Sequence, residues 1–126
     1  MYGLTTQLYG INDNMNTQPL WAITPEKIAE AVRRIVETAH PVRVILFGSH
    51  ARGDADRDSD MDLLVVERNV QDRYAEMVRL HHSLRGLILP VDILVISEMD
   101  FGEWADTPGS VYCTARREGK VLYEAA

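Results

Sequence analysis

"VILFGSHARGDADRDSDMDLLVV", residues 44–66, is the stretch on which the fold of this chain turns. Two apolar runs, "VILF" and "LLVV", are separated by a Gly48-Ser49 pair and by a segment with aspartates at 54, 56, 58, 60 and 62. Short apolar runs bounded by turn-forming residues read as buried strands. Gly48 and Ser49 follow the first run directly and precede a segment able to begin a helix. That arrangement points free backbone N–H groups and the Ser49 hydroxyl at an anion above the strand end. The Lys-Ser/Thr ending of a P-loop is absent, as is the three-glycine dinucleotide fingerprint. Alone, the dipeptide reads most simply as a strand-to-helix turn.

The aspartates narrow the choice. Asp54, Asp56 and Asp58 read as a solvated acidic loop. Asp60 and Asp62 lie two apart at the entrance to an extended segment, so both side chains point to one face. Two like charges so close are unfavourable without a cation between them. "VDILVI" then sets Asp92 inside an otherwise apolar strand, where an unpaired charge would cost several kcal/mol. Either Asp92 pairs with an arginine such as Arg43, or its strand lies beside "DLLVV" and Asp60, Asp62 and Asp92 converge on one or two hard cations, in practice Mg²⁺. A calcium-binding loop counted from Asp56 is rejected, because Met61 stands where the sharp turn needs glycine and "LLVV" occupies the place of the exiting helix.

Outward from this stretch, the chain alternates helix and strand. "TPEKIAEAVRRIVETAH" predicts a helix with Thr24 as N-cap, Pro25 in its first turn, and Ile28, Ala31, Val32, Ile35, Val36 and Ala39 on one stripe, ended by Pro41. "VRVILF", "DLLVVE" and "LPVDILVIS" predict strands. Between the last two, "QDRYAEMVRLHHSLRG" predicts a helix with Val70, Tyr74, Met77, Val78 and Leu84 on its buried face and Gly86 as its stop. A loop containing Trp104, Pro108 and Gly109 leads to a short helix "SVYCTARRE" and a last edge strand "KVLYE". The expected fold is α/β, a small mixed β-sheet flanked by helices. Residues 1–23, polar and aperiodic, are expected to form a flexible N-terminal arm before a domain at 24–126. Residues 1–14 are expected to come from upstream of a start at Met15.

Composition sets the outer limits. The chain has 126 residues, 46% hydrophobic and 25% charged, with a formal net charge of −6. That length suits one domain, and the negative charge disfavours direct nucleic-acid binding. A single cysteine, Cys113, excludes an intramolecular disulfide and a Cys-based zinc site, and is expected to be a packed side chain. With no apolar stretch long enough to span a bilayer and no signal-peptide pattern, a cytoplasmic location is expected. His81 and His82 lack the spacing of helical zinc ligands and are expected to be structural, as are Trp104 and Tyr112.

Gly48-Ser49, ten intervening residues, then Asp60-Met61-Asp62 with a later Asp92 in a strand, resembles the signature of the nucleotidyltransferase superfamily that includes polymerase β. In detail, "GSHARGDADRDSDMDLLVV" is similar to the minimal nucleotidyltransferases of bacteria and archaea, and the likeness runs from about residue 24 to 124, including "ARREGKVLYE". The resemblance implies a polymerase β-like nucleotidyltransferase fold, with Gly48 and Ser49 holding the β and γ phosphates of ATP. It implies Mg²⁺ at Asp60 and Asp62, and Asp92 helping to bind a second ion and deprotonating the attacking hydroxyl. Arg52 matches the family's "ARG" segment, as a phosphate ligand or as part of a structural ion pair. Family members that modify aminoglycosides carry a further C-terminal domain that helps bind the acceptor; none is expected here, so the acceptor surface is expected elsewhere. Minimal nucleotidyltransferases are commonly paired with a helical HEPN toxin, to a tyrosine of which they add AMP. The same residues leave open an antitoxin that acts by binding alone, and a stand-alone small-molecule adenylyltransferase completed by homo-oligomerisation.

Overall fold

The computed structural model describes residues 18–126. The Thr24 hydroxyl accepts from Lys27 N–H at 3.2 Å and starts helix α1 (Pro25–Ala39), which His40 ends in the left-handed region at φ 46°, with Pro41 beyond it. Strand β1 (Arg43–Phe47) runs into a single helical turn, α2 (Ser49–Arg52). There follow β2 (Met61–Glu67), α3 (Arg73–Ser83), β3 (Val91–Ser97), α4 (Glu98–Trp104), α5 (Val111–Glu118) and β4 (Lys120–Glu124).

The sheet is four-stranded and mixed, in the order β3-β2-β1-β4. β1 pairs antiparallel with β2 and with β4, while β2 and β3 run parallel. Alternation along the central strands sends Val44, Leu46, Leu63 and Val65 to one face, where α1 contributes Ala31 and Ile35 and α3 contributes Leu80. Ile45, Phe47, Leu64 and Val66 go to the other face, against Phe101 of α4 and Ala115 of α5. Because helices cover both faces, the central strands are apolar at nearly every position rather than alternating.

Three expectations need correction. The segment after β3 was expected to be a loop, yet residues 98–104 are helical. Ser97 caps α4 by accepting from Asp100 N–H at 3.1 Å, and buried Phe101 pins it to the sheet. Gly102, a poor helix former, hides this element from a periodicity reading. On α3 the core contact is Leu80, fully buried, with Leu84 and Met77 beside it, while Tyr74 is 76% exposed and Val78 51% exposed. The registration was misjudged because Leu80 falls between the residues used to define the stripe. Finally, residues 18–23, expected as part of the arm, turn against the domain: the Lys27 ammonium donates to the carbonyls of Leu20 and Ala22, at 2.5 and 2.9 Å, and Ile23 packs on the core. The rest of the expected arm and the proposed start at Met15 lie outside the described residues.

Candidate active site

The site lies where β1 ends and β2 and β3 begin. Antiparallel pairing sets Phe47 opposite Asp62, and parallel pairing sets Asp62 opposite Asp92. By alternation Asp62 and Asp92 share the face of Leu64 and Ile96, and Asp60, one residue before β2, lies close enough for its charge to act on Asp62. Gly48 is the next residue along β1, at φ 77°, ψ −156°, a conformation essentially restricted to glycine. A Cβ built there would lie 2.3 Å from Asp62 Oδ2, so the backbone of the turn abuts the carboxylate. Ser49 opens α2, and the Gly48 carbonyl accepts from the N–H groups of Ala51 and Arg52.

The electrostatics follow from this crowding. Burial, then the charges of Asp92 and Asp60, push the Asp62 carboxyl above its ordinary range, with His50 and Arg52 opposing. Asp62 is half-buried, while Asp60 and Asp92 are exposed. Exposure of Asp92 removes the desolvation cost expected of it, because β3 is an edge strand and Asp92 lies near its start. Nor does Arg43 neutralise it: Arg43 pairs with Glu124 at 3.3 Å and sits over the Phe101 ring. Arg52 bonds Asp54 at 3.1 Å and approaches Glu118 at 3.9 Å, contacts that hold its guanidinium charged beside Asp62.

Among the described residues no three His, Cys, Asp or Glu side chains form a preassembled metal cage. Carboxylates this close together, with no described cation paired directly with Asp62 or Asp92, nevertheless supply the hard oxygen donors that Mg²⁺ takes. That ion commonly uses one or two carboxylates and completes its octahedron with water and substrate phosphates. The donor set fits.

One neighbour was missed from sequence. His50, second residue of α2, donates from Nε2 to the Ser59 carbonyl at 2.9 Å, and nothing in its spacing announces that contact. Asp54, Asp56 and Asp58 form the exposed loop expected of them. Asp56 organises it by accepting from Asp58 N–H and the Ser59 hydroxyl. Cys113 is free and buried, and His81 and His82 are exposed. Tyr112 packs against the second face of the core, while Trp104 is 49% exposed.

Geometry alone does not name a family, so comparison with known sequences decides. A family model described as "Nucleotidyltransferase domain" matches residues 25–117. The chain belongs to that family. Two proteins of Methanocaldococcus jannaschii named "Putative protein adenylyltransferase" match locally, one 44% identical over 48 residues, the other 57% identical over 28. The first match covers 38% of this chain and 31% of that protein, the second 22% and 28%. The chain thus spans less than a third of the curated relatives it matches. A "putative nucleotidyltransferase from Sulfolobus solfataricus" shares the nucleotidyltransferase fold at a TM-score of 0.57 and 22% identity, over 79% of this chain and 78% of that one. A "toxin-antitoxin with AMP-PNP" crystal structure superposes at 0.54 and 23% identity, over 82% and 75%.

Proposed function

We propose that this domain transfers AMP from ATP to a hydroxyl of a partner protein, and that the partner is a helical HEPN-type toxin which the transfer neutralises. The observation that carries the reading is the register that sets Asp92 opposite Asp62, beside a glycine whose backbone abuts the Asp62 carboxylate. Support for the acceptor comes from the adenylyltransferase names of the archaeal relatives and from the fold shared with a toxin–antitoxin chain. The resemblance to minimal nucleotidyltransferases supplies the HEPN partner.

In this reading the Gly48 turn and the Ser49 hydroxyl hold the β and γ phosphates. Asp60 and Asp62 would hold Mg²⁺, and Asp92 would help to hold a second ion. Bound Mg²⁺ would stabilise charge on the attacking and leaving oxygens. Asp92 accepts the acceptor hydroxyl's proton as its oxygen bonds the α phosphorus, and the bond to the bridging oxygen breaks to release pyrophosphate. Arg52, held charged beside Asp62, lends positive potential to the triphosphate end.

The test is mass spectrometry of the partner after incubation with ATP and Mg²⁺. Addition of about 329 Da per transferred AMP is expected for displacement at the α phosphorus. Asp92→Asn should lower labelling by roughly 10²- to 10⁴-fold, the span of general-base assistance, while partner binding persists. If Asp92→Asn protects cells from the toxin as well as the unaltered protein does, neutralisation is by binding and the catalytic reading is wrong.

A further inference from the structure

Asp60 is exposed, and among the described residues its carboxylate has no hydrogen-bond or ion-pair partner, yet a metal ligand must be held in place. Both peptide groups flanking it are anchored. On its C-terminal side, Met61 N–H donates to the Pro90 carbonyl at 2.9 Å, tying it to the approach to β3. On its N-terminal side, the Ser59 carbonyl accepts from His50 Nε2 at 2.9 Å. A carbonyl can only accept, so Nε2 carries the proton. At its start the loop bonds back to α2, Asp54 N–H donating to the Ser49 carbonyl at 3.1 Å, but from Asp56 to Ser59 the turn bonds itself: Ser59 N–H donates to the Asp56 carbonyl at 3.2 Å, Asp56 N–H to Ser59 Oγ at 3.1 Å, and Asp58 N–H to Asp56 Oδ1 at 2.9 Å. Without His50, that closed turn would have no hydrogen bond from its Ser59 end to the phosphate-binding helix.

We infer that His50 is a positioning residue which sets Asp60, through the Ser59 carbonyl, at a fixed distance from the Gly48-Ser49 turn, so that a cation on Asp60 meets the phosphates of a bound nucleoside triphosphate. The inference rests on the proposed function, and concerns coupling between its two halves. Ser49 and His50 are consecutive on α2, so one helical turn carries both the phosphate contact and the strut to the aspartate. Groups that orient metal ligands from behind typically alter metal affinity by 10- to 100-fold when removed.

The experiment is calorimetry of ATP with and without Mg²⁺, read as the gain in affinity that Mg²⁺ confers. The unaltered chain should show a clear gain. His50→Ala should reduce that gain about tenfold or more, while metal-free ATP affinity stays within about twofold, since Gly48 and Ser49 are untouched. His50→Gln, whose side-chain amide can still donate to the Ser59 carbonyl, should recover most of the gain. A role in folding alone would instead lower both affinities together, and that result overturns the inference, as does an undiminished gain in His50→Ala. Absence of any gain in the unaltered chain would overturn the proposed function itself. Independently of any variant, ¹⁵N spectra should show the His50 proton on Nε2; a proton on Nδ1 alone contradicts the strut.

Discussion

Gly48 is constrained twice over. Its dihedral angles fall where side chains are strained, and a methyl group would strike Asp62. Gly48→Ala should destabilise the fold by roughly 1 to 3 kcal/mol, read in urea melts, and should weaken ATP binding by displacing the carboxylate. Gly53→Ala is the control: its φ is also positive, at 88°, but no atom lies within 4 Å of a Cβ there, so ATP binding should survive. Loss of binding in both variants would show that the turn tolerates no change at all, and that contact with Asp62 is irrelevant.

Glu67, at the far end of β2, makes a second prediction. Its side chain is 8% exposed, and buried Oε2 receives no donor. It faces Glu76, which Arg79 grips through two bonds of 2.9 and 2.8 Å. Burial, and then Glu76 beside it, pushes the Glu67 carboxyl up to about 8. Between its ordinary value of 4.5 and about 8, the folded chain therefore holds a proton that the unfolded chain releases. Stability contributed by this group is full below that window, falls as pH rises through it, and levels off above it. Glu67→Gln keeps a donor toward Glu76 and cannot ionise, so its melting temperature should exceed the unaltered protein's at pH 8 by more than at pH 5. Parallel curves for the two proteins would contradict a carboxyl raised by burial.

Among the elements, β1 and β2 were readable because burial on both faces leaves an unmistakable apolar run, and α1 because cap, proline and stripe agree. α3 was readable as a helix but not in its orientation. Tyr74 and Val78 are large and apolar, and periodicity cannot say that they face water while Leu80 faces the sheet. Leu80→Ala should cost about 2 to 5 kcal/mol, the range for buried leucines, whereas Val78→Ala should stay within about 0.5 kcal/mol. Equal losses would restore the orientation expected from sequence. α4 was hidden because its seven residues are too few to show a period, and because Gly102 breaks the propensity pattern. Its evidence was in the cap, Ser97 with Glu98 and Asp100 following.

For the molecule as a whole, the residues proposed to carry the chemistry were nameable from sequence, because a glycine turn, paired aspartates and a later strand aspartate leave few other uses for their charges. What sequence could not provide was how they meet. The parallel pairing of β2 with β3 is a tertiary fact, and it alone sets Asp62 beside Asp92. The same pairing at an exposed edge corrects the reason Asp92 is there: it escapes a desolvation penalty rather than offsetting one. His50 was invisible because its bond to Ser59 depends on how the acidic loop folds back. No helix among the described residues is long and apolar enough to cross a membrane.

In the proposed function, Asp60, Asp62 and Asp92 would hold a divalent cation against a nucleoside triphosphate seated on Gly48 and Ser49. Calorimetric titration of ATP into the intact chain, with Mg²⁺ and then with a chelator, tests it most directly when repeated on Asp62→Asn. Affinity should fall when Mg²⁺ is removed and fall comparably in Asp62→Asn with Mg²⁺ present, because the cation is then under-neutralised. The same dissociation constant under all of these conditions would contradict it.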